Sequence, residues 1–129
     1  MSAREQEQNW AKQGRRELES AERALSSDDF YLVAYLCHQS VEKMLKALIL
    51  HRRQEPPPHT HSLMRLGTLA GIPKEHEGKL RELTPHYMLS RYPDASGEAP
   101  FELYTREKTE TMLKDAREVI AWIEKQLTQ

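Results

Sequence analysis

Residues 34–50, AYLCHQSVEKMLKALIL, decide the fold. Small or apolar side chains recur at Ala34, Cys37, Val41, Leu45 and Leu48, the three-and-four spacing that gathers them on one side of an α-helix. A second stripe at helical spacing carries Tyr35, Gln39, Glu42 and Lys46, with Lys43 beside it. Glu42 precedes Lys46 by four residues, the favoured orientation for an ion pair along one helix, worth only about 0.3–0.5 kcal/mol when solvated. From periodicity alone, the polar stripe reads as a solvated face.

Upstream, Trp10, Gly14, Leu18, Ala21 and Leu25 share one face and predict a first helix over about 4–26. Gly14 and Ala21 are small enough to let a second helix approach closely. Ser26, Ser27, Asp28 and Asp29 interrupt the pattern, and Ser27 or Asp28 is expected to start the next helix by accepting from its free N–H groups. That helix runs on to about residue 53, where His51, Arg52 and Arg53 complement its negative end and Pro56, Pro57 and Pro58 stop it. Downstream, Thr60 or Ser62 is expected to cap a short helix built on Leu63, Leu66 and Leu69 and closed by Gly71 and Pro73. A further helix is expected over about 74–90, kinked at Pro85, followed by a turn-rich loop, RYPDASGEAP, over 91–100. Thr105 caps the last helix, whose core stripe is Met112, Ala116, Ile120, Ile123 and Leu127.

These periodicities, with only five glycines in the chain, indicate an all-α bundle rather than a sheet protein. A length of 129 residues suffices for one domain, 1–129, that buries roughly two thirds of its unfolded surface. The formal net charge of −1 argues against strong nonspecific binding to duplex nucleic acid and leaves room for a local basic patch. Cys37 is the only cysteine; it has no internal disulfide partner and reads as a small buried hydrophobe in a reducing compartment. No apolar run reaches membrane-spanning length and MSAREQEQNW lacks a signal-peptide core, so a soluble cytoplasmic protein is expected. His59 and His61 have no cysteine or carboxylate at ligand spacing beside them, so neither a metal nor another cofactor is expected.

Three blocks carry a resemblance: Cys37-His38-Gln39-Ser40-Val41-Glu42-Lys43-Met44-Leu45-Lys46-Ala47, then Thr60-His61-Ser62-Leu63, then Tyr87 with Ser90-Arg91-Tyr92-Pro93-Asp94. In that order they resemble the prokaryotic HEPN domain, over nearly the whole chain. The resemblance implies an up-and-down bundle of four to five helices that usually forms a homodimer. It also implies nucleotide or RNA binding, often beside a small nucleotidyltransferase partner in toxin–antitoxin-like pairs.

Many HEPN proteins are metal-independent ribonucleases whose signature is an arginine followed, after four to six residues, by a histidine late in the bundle. Histidine moves a proton near neutral pH and arginine steadies the charge growing on the phosphate. This sequence departs from that pattern. His86 is the last histidine, so Arg91, Arg106 and Arg117 begin no such motif. Arg81–His86 and Arg53–His59 match the count, but the first is interrupted by Pro85, the second runs through three prolines, and neither is placed late. No catalytic residue is therefore assigned.

The candidate ligand site comprises Glu42, Lys43, Lys46, His61, Arg91, Tyr92 and Asp94. Lys43, Lys46 and Arg91 would hold phosphate and Tyr92 would stack on a base. His61 would donate a hydrogen bond, while Glu42 and Asp94 would orient the basic groups. The leading expectation is a dimeric nucleotide- or RNA-binding protein. The alternatives are a ribonuclease using His61 or His86 with Arg91 or Arg81, and a non-catalytic structural or inhibitory dimer subunit. Tyr35, Ile49, Met64 and Trp122 lie off the core stripes and are expected to form the dimer face.

Overall fold

In the computed structural model, which describes all 129 residues, the chain forms eight helical segments. They are α1 (Ala3–Ser26), α2 (Phe30–Arg53), α3 (Leu63–Ala70), α4 (Lys74–Leu83), α5 (His86–Leu89), α6 (Pro93–Ser96), α7 (Pro100–Leu103) and α8 (Arg106–Leu127). Three are long, two are short and three are single turns, and no strand forms. The fold is thus the all-α bundle that the periodicities indicate.

α2 is the axis of the bundle. It packs against α1, α8 and α3, and more lightly against α4, α5 and α7. Met44, Leu45 and Leu48 are wholly buried and Ile49 is 1 % exposed; each such side chain contributes about 1.5–3 kcal/mol of burial free energy. Gly14 explains the closeness of α1: a Cβ there would sit 2.8 Å from Met44 Sδ and 3.2 Å from the Ser40 carbonyl oxygen of α2. Ala21 is likewise fully buried at this contact. From α8, Leu113, Ala116, Val119, Ile120 and Ile123 enter the same core.

Side-chain caps start three helices, those of α3 and α8 at expected residues. Ser2 starts α1 by accepting from the Glu5 N–H, Ser62 starts α3 by accepting from Arg65, and Thr105 starts α8 by accepting from Lys108. Gly71 ends α3 in the left-handed region, φ 79°, where glycine carries no Cβ penalty. The α1–α2 turn departs from expectation. Asp29 occupies the cap position of α2 and makes no side-chain cap bond, while Asp28 adopts φ 61°, a conformation that aspartate tolerates better than most residues.

Three further expectations are corrected. The helix expected over 74–90 is two helices, because Pro85 cannot continue the hydrogen-bond ladder and the chain turns at Thr84 and Pro85. The polar stripe of α2 is not solvated: Glu42 is 4 % and Lys46 6 % exposed, because α1 and the segment before α3 cover it. Of the four residues assigned to a dimer face, Ile49 is buried and has no surface to offer, while the other three are partly exposed. Ile49 belongs to the core, Met64 and Trp122 pack against it, and Tyr35 lies under a guanidinium described below. The large apolar side chains left exposed are Met1, Met88, Tyr92 and Phe101, the last three on or beside the single-turn helices.

Cys37 is fully buried, and burial pushes its thiol up to about 12. It is packing, not chemistry, as its place on the apolar stripe indicates.

Candidate functional site

One α2 face, Tyr35, His38, Gln39, Glu42 and Lys46, runs beneath a segment that the sequence places far away. Pro56, Pro57 and Pro58 lead the chain off the end of α2, and it returns along α2 to His61 just before α3. His38 fixes that return: its Nε2 donates to the His61 carbonyl oxygen at 3.0 Å. Burial lowers the pKa of His38, which keeps it neutral beside Glu42, whose Oε1 is 3.8 Å from its Nδ1.

Glu42 is the hub. Its Oε2 accepts from Lys46 Nζ at 3.1 Å and its Oε1 from His61 Nδ1 at 2.9 Å. The Lys46 ammonium also lies 5.1 Å from the Trp10 ring centroid of α1, a cation–π contact that helps offset its burial. A carboxylate only accepts, so His61 carries its proton on Nδ1 and directs Nε2 away from Glu42. The His61 side chain remains 49 % exposed. A buried carboxylate therefore fixes both the tautomer and the ring plane of an accessible imidazole.

Tyr87 of α5 continues the surface, stacked on His61 with centroids 3.8 Å apart and ring planes 12° from parallel. One helical turn later, Arg91 places its guanidinium 4.9 Å from the Tyr87 ring centroid, 5.4 Å from Tyr35 and 5.1 Å from Tyr92. The guanidinium makes no salt bridge to any carboxylate of the chain and is exposed. Such a cation, set among three aromatic rings and without a carboxylate partner, can donate two parallel hydrogen bonds to a phosphate or carboxylate.

Of the residues proposed from sequence, Glu42, Lys46, His61, Arg91 and Tyr92 converge here. Glu42 and Lys46 are supports, because each is buried and already paired. Lys43 does not belong. It points from another side of α2 to Glu17 of α1, 2.7 and 2.9 Å from its carboxylate oxygens, since adjacent residues on a helix diverge by about 100°. Asp94 is exposed on α6 and is hydrogen-bonded neither to Arg91 nor to another side chain of the cluster. Sequence reasoning missed Tyr87, His38 and Tyr35 as parts of the site. Their signal is spacing: Tyr87 precedes Arg91 by four residues and His38 precedes Glu42 by four.

The other histidine considered for catalysis sits elsewhere. His86, the first residue of α5, is buried against Tyr104, whose hydroxyl is 2.7 Å from its Nδ1. Burial first, then the charge of Lys108, lowers its pKa to about 4, so it is neutral near pH 7 and poorly suited to proton transfer there. A stability consequence follows. With a folded pKa below the ordinary value near 6.5, the unfolded chain binds the proton first, so stability present above pH 6.5 is lost as the pH falls towards about 4. His86→Gln, which keeps a partner for Tyr104, should flatten the fall in urea-unfolding stability over that window. An unaltered slope would show that His86 does not contribute.

The sequence profile described as the HEPN domain matches residues 7–126. The crystal structure of TT1696 from Thermus thermophilus superimposes with a TM-score of 0.83 at 27 % identity, covering 94 % of this chain and 98 % of that one. That of ST0689, an archaeal HEPN homologue, gives a TM-score of 0.80 at 30 % identity, covering 94 % and 97 %. None of the curated proteins matches the chain. No helix is long and apolar enough to cross a membrane.

Proposed function

The chain belongs to the HEPN domain family, and from that membership we propose that it binds a nucleotide or RNA on the Arg91–tyrosine surface. The observation that carries this reading is the unpaired Arg91 guanidinium among Tyr35, Tyr87 and Tyr92, with the His61 imidazole stacked on the middle ring. Arginine supplies the phosphate contact, and Tyr92, 37 % exposed, offers a face on which a base stacks. His61 presents its second ring nitrogen to the same ligand. The family's habit of dimerising supports a homodimer as the working form. Its association with small nucleotidyltransferases supports such a partner, in a toxin–antitoxin-like pair.

Calorimetric titration with ATP and with a short single-stranded RNA tests the binding. Heat is expected from at least one of them, weakened about tenfold in His61→Ala, the effect of losing one hydrogen bond to a charged group. No heat from either ligand overturns the reading.

A second reading rests on the Glu42–His61 contact. A buried carboxylate that holds an accessible imidazole by Nδ1 leaves Nε2 free to take the proton of a ribose 2′-hydroxyl, while Arg91 meets the charge growing on the phosphate. RNA cleavage in EDTA that is lost in His61→Ala and retained in His86→Ala favours this reading. Equal residual cleavage in all three proteins removes it.

A further inference from the structure

α4 is firmly seated at its end and lightly at its start. Its buried side chains are Leu80 and Leu83, and no residue from Lys74 to Lys79 is buried. The helix begins at Pro73 without a side-chain cap. Gly78, in mid-helix, is the poorest helix former after proline, and packing does not demand it: a Cβ there would meet nothing within 4 Å. Leu80, in contrast, is pressed against Gly67 of α3, where a Cβ would lie 2.5 Å from its Cδ1.

Two side chains tie this weak first half to α8. Lys79 Nζ lies 2.9 Å from Glu118 Oε2 of α8 and donates to His76 Nδ1 at 3.0 Å. An ammonium has donors only, so Nδ1 supplies its lone pair and His76 is neutral, with its proton on Nε2. The same imidazole lies against Trp122 of α8, ring centroids 6.2 Å apart. That indole already carries the Arg52 guanidinium of α2, 5.3 Å from its centroid. A proton on Nδ1 removes the acceptor and sets an imidazolium against the Lys79 ammonium. Glu75 of α4 and Glu118 of α8 offset part of that repulsion, and Asp115 of α8 acts on Lys79. Burial first, then Lys79, lowers the pKa of His76, so the closed contact favours the neutral ring.

We propose that the first half of α4 is a flap on α8 that a proton on His76 releases. The open segment takes up the proton before the closed one does. Closure is therefore secure above the ordinary histidine value of 6.5 and weakens as the pH falls below it. Release is local: Leu80 and Leu83 stay in the core, and the Trp122 indole is uncovered.

The test is amide hydrogen exchange of the full chain at about pH 7.5 and about pH 5, corrected for the intrinsic exchange rate at each pH. Protection of residues 74–79 should fall about three- to fivefold at the lower pH, the range of a partly exposed pair. The fall should vanish in His76→Gln, whose amide oxygen accepts from Lys79 without titrating. It should persist in His86→Gln and in Asp115→Asn, which remove the other groups that titrate nearby. Gly78→Ala should raise protection about fourfold at both pH values and leave their ratio intact. His76 and Gly78 lie outside the core, and unchanged circular dichroism verifies the fold of each variant. Protection that does not change with pH in wild type overturns the inference. So does a fall that survives in His76→Gln, or a Gly78→Ala protein with unaltered protection.

Discussion

Replacing Glu42 by alanine should lower the stability of the fold by about 3–5 kcal/mol, the effect of stranding one member of a buried ion pair. Glu42 and Lys46 are 4 % and 6 % exposed and 3.1 Å apart, so the lysine left behind has Trp10 above it and no anion beside it. The same change releases His61, and with it a tie between α2 and the segment entering α3. Equilibrium urea unfolding at neutral pH gives the value, provided that the slope of stability against urea is unchanged. The double variant Glu42→Leu, Lys46→Met should recover most of the loss, because an apolar pair of similar volume incurs no charge desolvation. A Glu42→Ala protein within about 1 kcal/mol of wild type, the range of a surface pair, would mean that water reaches the pair in solution.

Arg91→Ala should have the opposite profile, with ligand affinity reduced about ten- to a hundredfold at unchanged stability. An arginine–phosphate contact is a charge-assisted, two-pronged hydrogen bond, and its loss corresponds to about 1.5–3 kcal/mol. Stability is spared because the guanidinium is exposed and forms no salt bridge within the chain. Arg91→Lys should recover little, since an ammonium neither lies flat among tyrosine rings nor offers two parallel donors. The salt dependence of RNA binding should also become shallower, by about the release of one counterion. Calorimetry at two ionic strengths measures both effects. An Arg91→Ala protein that binds as wild type does would place the ligand elsewhere.

Seen together, the two variants separate the layers of the site. Glu42, Lys46 and His38 hold the site together from inside, whereas Arg91, His61 and Tyr92 meet the solvent. Residues of both kinds were legible in the sequence, but their division was not. A stripe of Glu42 and Lys46 at helical spacing looks the same whether the facing volume is water or protein. The Glu42–Lys46 contact itself was expected, because it lies within one helix. Its burial was not, because it depends on α1 and on the proline-led return of the chain before α3. Lys43 illustrates the converse. Sequence proximity grouped it with Glu42 and Lys46, and the turn of the helix sent it to Glu17.

The sequence by itself determined the long helices α1, α2 and α8, the short α3 with its Ser62 and Gly71 caps, the Thr105 cap of α8 and the apolar stripe of each, but not the break at Pro85, the single turns α6 and α7 or the burial of the polar stripe of α2. What it determined rests on backbone hydrogen bonding and on burial repeated every three or four residues, and such terms act between neighbours in the chain. Only the tertiary structure decided that His61, Tyr87 and Arg91 share one surface with Tyr35 and Glu42, and that His76 meets Trp122. Those pairings join residues tens of positions apart, and packing of α3 and α5 against α2 and of α4 against α8 sets their distances. No local preference encodes such an approach, because its free energy comes from closing the core as a whole.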